Sequence, residues 1–300
     1  MKFFVTGVGG QLGHDVMNEL IGRGHEGVGS DIQESYGGVA DGSAVTKAPY
    51  VALDITDRAA VERVITDVKP DAVIHCAAWT AVDLAEDPEK AEKVRAINVG
   101  GTQNIADACK KLGCKMTYIS TDYVFDGQGN EPLNEFDTAT PDTIFGKSKL
   151  AGENFVRELN PKHLIVRSSW VYAKEGSCFV NSVIRQAKEG GVIQVAAEQY
   201  SSPTSAKVLA DFVMKMIDAN EYGIYHASCE GCCSRVEAAE EILRCMGQDP
   251  TGRIEEISAE AGKNSPRRTD LQNLMMKVTG IYQMPDWKDA MRDYIQELRG

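Results

Sequence analysis

Short apolar runs alternate with longer amphipathic segments through the first two-thirds of the chain. Phe3–Thr6 is apolar and β-prone, and the stretch from Gln11 to Arg23 places Val16, Leu20 and Ile21 on one helical face. Gly27–Ser30 and Tyr50–Leu53 predict a second and third strand. Arg58–Val68 predicts a helix, with Val61, Val64, Ile65 and Val68 on one side. Ala72–Cys76 is a continuous apolar strand, followed by one long helix from about Pro88 to Leu112. Met116–Ser120, a helix over Ile144–Leu159 and a strand over His163–Arg167 continue the rhythm. Strands apolar on both faces and separated by helices need a parallel sheet covered on both sides.

The expected fold class is therefore α/β, a Rossmann-like doubly wound parallel sheet with a smaller C-terminal α/β lobe. Residues 1–170 would form the dinucleotide-binding domain and 205–227 would return to it, through a helix near Ser205–Asn220 and a strand at Ile224–Ala227. Residues 171–204 and 228–300 would form the substrate-binding lobe, closed by a helix over Trp287–Leu298. Glu34 to Pro49, rich in Gly, Ser and Ala, predicts a long mobile loop between the second and third strands. The stripe Met275, Met276, Val278, Ile281 and Met284 predicts lobe core.

Composition narrows the function classes. The 300 residues are 43% apolar and 25% charged, values of an ordinary globular protein. Lys and Arg number 32 against 44 Asp and Glu, a net charge of −12, and no basic run exceeds two residues. Such a chain repels phosphate backbones, so nucleic acid is not an expected partner. No stretch approaches the roughly 18–20 apolar residues of a membrane span, and the opening apolar run breaks at Gly7, too soon for a signal peptide. The eight cysteines are scattered, which fits free thiols in a cytoplasmic protein.

The first strand runs into Thr6-Gly7-Val8-Gly9-Gly10-Gln11-Leu12-Gly13 and then a helix. Glycines at 7, 10 and 13 allow a tight turn and a close backbone approach to a pyrophosphate, and the helix N-terminus offers N–H groups and a positive dipole end. This strand–turn–helix context predicts a dinucleotide site. Asp31, ending the second strand, is placed to accept from the adenosine ribose hydroxyls and to repel a 2′-phosphate, which leans to NADH over NADPH. A solvated loop carboxylate is the plainer reading of Asp31, and Lys47 nearby would suit a 2′-phosphate. Asp54 and Ile55 are placed to meet the adenine edge, while Thr56 or Asp57 would cap the following helix.

Ligands of open parallel sheets lie beyond the strand C-termini. There the fourth strand ends in Cys76-Ala77-Ala78-Trp79-Thr80, the fifth in Ile119-Ser120-Thr121-Asp122-Tyr123, and the sixth in Arg167-Ser168-Ser169-Trp170, with Phe145-Gly146-Lys147-Ser148-Lys149 opening a helix between the last two. On Gly7–Gly13, Ala77–Asp83, Asn98-Val99, Ser120–Gly127, Phe145–Glu153, Arg167–Tyr172 and Gln199–Thr204, the chain resembles the nucleotide-sugar branch of the extended short-chain dehydrogenases/reductases, and within it the dTDP-4-dehydrorhamnose reductases. The matches span most of the first 205 residues in order; the C-terminal part matches mainly through Trp287 and its helix.

The resemblance implies NADH- or NADPH-dependent reduction of the C4 ketone of dTDP-4-dehydro-L-rhamnose to dTDP-L-rhamnose, a precursor of surface polysaccharide. It implies that Thr121 hydrogen-bonds the substrate carbonyl and that Lys149 holds the nicotinamide ribose while its charge favours ionisation of the acid. Gly7, Gly10, Gln11, Leu12, Gly13, Ala77, Ala78, Trp79 and Asn98 would face the cofactor, with Asn98 near a proton-relay water. Thr80, Val82, Trp170, Gln199 and Arg267 would face the sugar nucleotide. Asp122 followed by Tyr123, where sugar dehydratases carry Glu, favours simple ketone reduction. A homodimer is the assembly this resemblance allows. Some members use Mg²⁺ at a subunit contact, but no carboxylate cluster here demands it.

One departure stands against these matches. The acid position of the family's Tyr-x-x-x-Lys holds Phe145, which donates no proton, and loss of a positioned acid costs about 10²–10⁴-fold in rate. Tyr123, Ser148 or water could supply the proton instead. The alternative is a catalytically silent NAD(P)-binding partner subunit of the same fold. Two weaker signals have plain readings. His226 with Cys229, Cys232 and Cys233 lacks the second ligand pair of a structural zinc site, and Arg267-Arg268 is either a pyrophosphate grip or a solvated pair.

Overall fold

In a computed structural model, which describes residues 1–174, 176–196, 198–257 and 264–299, the opening apolar run is β1 (Lys2–Thr6) and the glycine turn leads into α1 (Gln11–Gly22). β2 (Glu26–Asp31) and β3 (Tyr50–Ala52) follow, then α2 (Arg58–Val68), whose N-terminus is capped by Asp57 accepting the Ala60 N–H at 3.0 Å. β4 (Ala72–His75) precedes α3 (Val82–Ala85), α4 (Pro88–Arg95) and α5 (Thr102–Leu112). β5 (Lys115–Thr121), α6 (Ile144–Leu159) and β6 (His163–Ser168) complete the regular alternation.

Beyond it come β7 (Val171–Tyr172), α7 (Phe179–Glu189), β8 (Ile193–Ala196), β9 (Tyr200–Ser201), β10 (Thr204–Ser205) and α8 (Ala206–Asp218). β11 (Gly223–His226), β12 (Cys233–Ser234), α9 (Arg235–Cys245), β13 (Ile254–Ile257), α10 (Leu274–Thr279) and α11 (Trp287–Glu297) end the chain. No helix among the described residues is long and apolar enough to cross a membrane.

Seven strands form one parallel sheet in the order β11-β6-β5-β4-β1-β2-β3. Strand alternation divides its side chains between two cores. Phe3, Val5 and Ile74 pack with the α1 and α8 side, where Leu20 and Phe212 are buried; Phe4, Val73 and Met116 pack with Val61 and Ile105 on the other. The chain turns one way from β1 to β2 and β3, then the other way to β4. That reversal opens a crevice at the carboxyl ends of β1 and β4, where Thr6 is registered between Ser30 and His75. Outside this sheet, β7 pairs with β10, β9 with β12 and β8 with β13; the β9–β12 ladder ties residues near 200 to those near 234.

Three expectations need correction. The single helix over 88–112 is interrupted by a π-helical stretch at Ala96–Gly101, which places the Asn98 side chain against the strand-four turn. The 34–49 loop is pinned to α1: Tyr36 Oη lies 2.6 Å from His14 Nδ1, Asn18 Oδ1 accepts the Val45 N–H at 2.8 Å, and Val45 is buried. In the methionine stripe, Met276 and Met284 are buried in the core on the α1 and α8 side of the main sheet, and Val278 is 71% exposed.

Candidate active site

The crevice widens into a cleft of about 750 Å³ that runs from the glycine turn across the ends of β4, β5 and β6 to the start of α9. At the glycine end, Gly7 has φ +74°, and a Cβ there would stand 2.6 Å from the Ala77 nitrogen. A Cβ at Gly13 would collide with the Gly7 carbonyl. These two glycines therefore let β1, its turn and the Ala77-Ala78 segment touch backbone to backbone. Gly10 caps α1 without a side-chain acceptor on its first turn, so that turn presents N–H groups and the positive dipole end to the cleft. Asp31 stands at the lip, its Oδ2 accepting the Gly9 N–H at 3.0 Å and its Oδ1 the Ile32 N–H at 2.8 Å. This cradle fits the diphosphate and ribose of a dinucleotide. Beneath it, His75 lies 2.7 Å from Thr6 Oγ1 and 3.1 Å from Thr102 Oγ1; burial pulls it down to about 3, so it is a neutral structural bridge.

The middle of the cleft is set by α6. Lys149 is buried, with Nζ donating to the Ile119 carbonyl at 2.7 Å and lying 4.1 Å from the centre of the Tyr118 ring. Burial draws its ammonium down to about 7, against the opposing pull of Glu153 and Cys76. One turn on, Glu153 receives Arg167 Nε and Nη2 at 2.9 and 2.7 Å and the Ser120 hydroxyl at 2.6 Å. This buried bidentate pair locks α6 to β5 and β6, directly below Thr121 and Lys149.

At the far end, Thr121 donates to Asp122 Oδ1 at 3.0 Å. Asp122 is buried and also accepts from Thr269 at 2.5 Å and Ser201 at 3.4 Å; burial raises its carboxyl to about 6 despite these donors. Tyr123 donates to Ser265 Oγ at 2.8 Å and meets the Phe145 ring edge-on at 5.5 Å between centroids. Trp170, held at φ +41°, lies under the Arg235 guanidinium at 3.5 Å.

Of the residues singled out from the sequence, Gly7, Gly10, Gln11, Leu12, Gly13, Asp31, Asp54, Ile55, Ala77, Ala78, Thr80, Val82, Thr121, Asp122, Tyr123, Phe145, Lys149 and Trp170 line this one cleft. Four do not. The Asn98 side chain accepts the Trp79 N–H at 2.7 Å and donates to Ser148 Oγ at 2.9 Å, so it braces the strand-four turn from behind. Trp79 is half-buried against Ala85, Val94 and Phe145, with Nε1 donating to the Ala81 carbonyl and Lys93 over its ring. Gln199 is buried behind Arg235, whose Nε donates to its Oε1 at 3.2 Å. Arg267 is exposed, and its carbonyl accepts the Tyr200 N–H at 2.9 Å. Arg235 and Phe179 line the cleft and were missed. The capping box of Ser234 and Glu237 marks a helix start at Arg235, but nothing local says what that start faces. Among the described residues no group of three His, Cys, Asp or Glu side chains could hold a metal ion.

A glycine cradle at the sheet's switch point, with Lys149 and Thr121 across from it, defines a Rossmann fold of the extended short-chain dehydrogenase/reductase type. The chain belongs to the family described as RmlD substrate binding domain, whose model matches residues 1–299. It is 34% identical over 298 residues to the spore coat polysaccharide biosynthesis protein SpsK of Bacillus subtilis (strain 168), covering 99% of this chain and 97% of that protein. A crystal structure of a dTDP-4-dehydrorhamnose reductase from Clostridium acetobutylicum ATCC 824 superposes with a TM-score of 0.89 at 37% identity over 100% of both chains. A second, from Bacillus anthracis str. Ames in complex with NADP, gives 0.87 at 35% identity over 99% of each.

Proposed function

We propose that this protein is a nicotinamide-dependent oxidoreductase that reduces the C4 ketone of dTDP-4-dehydro-L-rhamnose to dTDP-L-rhamnose. The carrying observation is that one cleft joins the glycine cradle to Thr121, Lys149 and Trp170 in a chain that matches reductases of that name over its full length. When bound, the reduced nicotinamide supplies a hydride to the ketone carbon. The residues of the chain do the rest. The first turn of α1 and Gly7 hold the diphosphate; Lys149 orients a ribose and keeps positive charge near the developing alkoxide; the Thr121 hydroxyl hydrogen-bonds the carbonyl oxygen. Thr80, Val82 and Trp170 flank the sugar, with 171–204 and 228–300 as the substrate-binding lobe. Asp31, already holding the Gly9 N–H, favours NADH, because a 2′-phosphate would bring like charge against its carboxylate.

The test is oxidation of NADH and NADPH in the presence of dTDP-4-dehydro-L-rhamnose, with the sugar product identified. Consumption of reduced dinucleotide matched mole for mole by dTDP-L-rhamnose is expected. Saturable dinucleotide binding without any sugar reduction, by this chain and by Phe145→Tyr alike, would overturn the reading and leave a silent binding subunit.

A further inference from the structure

The acid position of the cleft carries a ring without a hydroxyl, while a phenol and a guanidinium stand beside it. Phe145 is buried and takes the edge of Tyr123, and both rings line the cleft. Arg235 begins α9 and reaches the same wall, its guanidinium 3.5 Å from the centre of the Trp170 ring and 4.5 Å from that of Phe179. Its Nε donates to the neutral Gln199 amide at 3.2 Å, and among the described residues it forms no ion pair with a carboxylate. In a chain of net charge −12, a cation left unneutralised at a cleft wall acts on whatever charge enters or forms there. Beyond burial, its charge is coupled most strongly to Tyr123 and then to Asp122.

We infer that in this chain Tyr123 gives the proton to the substrate oxygen, and that Arg235 is the positioning cation that stabilises the phenolate left behind. The inference rests on the reductase reading above. The step balances: the ketone carbon takes a hydride from the reduced nicotinamide, the carbonyl π pair moves to oxygen, and the new O–H bond forms as the Tyr123 O–H bond breaks. The sugar leaves as an alcohol against one oxidised dinucleotide. Ser265 Oγ, 2.8 Å from the phenol and half-buried, returns a proton from water.

Other donors are less well placed. Ser148 donates to the Phe145 carbonyl at 2.7 Å, accepts from Asn98 and does not line the cleft. Thr121 is an alcohol with a single proton, which rests on Asp122 here and rotates onto the substrate carbonyl to orient it; an alcohol is no net source of that proton. Lys149 has no phenol one turn back to act on, and its ammonium is held by the Ile119 carbonyl. The Ser265 hydroxyl meets the Tyr123 phenol directly, and the charges that act on it are Asp122 on its own turn, Arg235 from α9 and Asp83 from α3. Burial and the two carboxylates disfavour the phenolate; the Ser265 hydrogen bond and the Arg235 charge favour it.

The experiment has two arms. In the first, Tyr123→Phe lowers kcat for ketone reduction by about 10²–10⁴-fold, with dinucleotide affinity followed by fluorescence titration. In the second, the ultraviolet difference titration of the parent minus its Tyr123→Phe counterpart isolates this phenol. Arg235→Met moves its transition to higher pH and Arg235→Lys restores it, a readout that needs neither turnover nor bound dinucleotide. Parental kcat in Tyr123→Phe, or an unmoved transition in Arg235→Met, would overturn the proposal. A parent that binds dinucleotide but does not turn over, beside an active Phe145→Tyr, would overturn it and leave the reductase reading standing. Two inert chains with dinucleotide bound would overturn both.

Discussion

At the glycine end the cleft is lined from residues 6–32, 53–55 and 76–78, around a turn where backbone meets backbone; at the opposite end the working groups are side chains drawn from 121–123, 145, 170 and 235. The first end depends on what is missing: Gly7 and Gly13 keep space that a single Cβ would fill. The second depends on what is present and how it is braced, through Ser265 on Tyr123, Thr269 on Asp122 and Gln199 on Arg235. A backbone cradle is specified by a few local positions, because sterics act over one or two bonds. A side-chain constellation needs several distant segments to arrive together. The glycine end should therefore respond to small steric changes nearby, and the other to changes anywhere in its supports.

The largest effect is expected from Arg167→Met, which strands Glu153 beneath the second end. Removing one partner of a buried pair costs about 3–5 kcal/mol, read from urea unfolding. Reductase rate should fall more than dinucleotide affinity; equal losses would break the contrast between the two ends. Next is Gly13→Ala, which forces the cradle apart at a strain of about 1–3 kcal/mol and should weaken dinucleotide binding by about 10–10²-fold in isothermal titration. Unchanged affinity would mean that the cradle does not hold the diphosphate.

The third concerns pH. Because burial holds Lys149 near 7 in the folded chain, the unfolded chain binds one more proton between about 7 and the ordinary 10.5. Stability should therefore rise with pH across that window, by up to about 1.4 kcal/mol per pH unit, and lose this dependence in Lys149→Met. Parallel stability curves for the two proteins would refute the buried ammonium. The smallest is Asp31→Ser. Two like unit charges in contact repel by about 1 kcal/mol in water, so relieving that repulsion on a 2′-phosphate should raise the NADPH-to-NADH ratio of kcat/KM about fivefold. An unmoved ratio would detach Asp31 from cofactor choice.

Much of this was legible in the chain. The strand β1, the glycine turn and α1 could be read because Phe3–Thr6 and the helical spacing of Val16 and Leu20 are local patterns. Lys149 and Thr121 could be placed at strand and helix ends for the same reason. The failures share one cause. Asn98 sits on a π-helical stretch, so the residue expected to face the cofactor is rotated into a brace for Trp79. The 34–49 loop is rich in turn-formers yet is fixed by His14 and Asn18, two polar residues of α1 that gave no sign of a partner.

By itself, then, the sequence determined the alternation of strands and helices through most of the first 168 residues, the parallel sheet, and the turn whose glycines keep space a Cβ would fill, since periodic burial and short-range sterics act within a few residues. Only the tertiary structure decided which side chains share the cleft with that turn. The β9–β12 ladder registers Cys233 with Ser201 and Ser234 with Tyr200, and this carries Arg235 over Trp170 and sets Gln199 behind it. No local pattern encodes that meeting, because it follows from closure of the chain across more than thirty residues, with energies set by burial and charge once the segments are in contact.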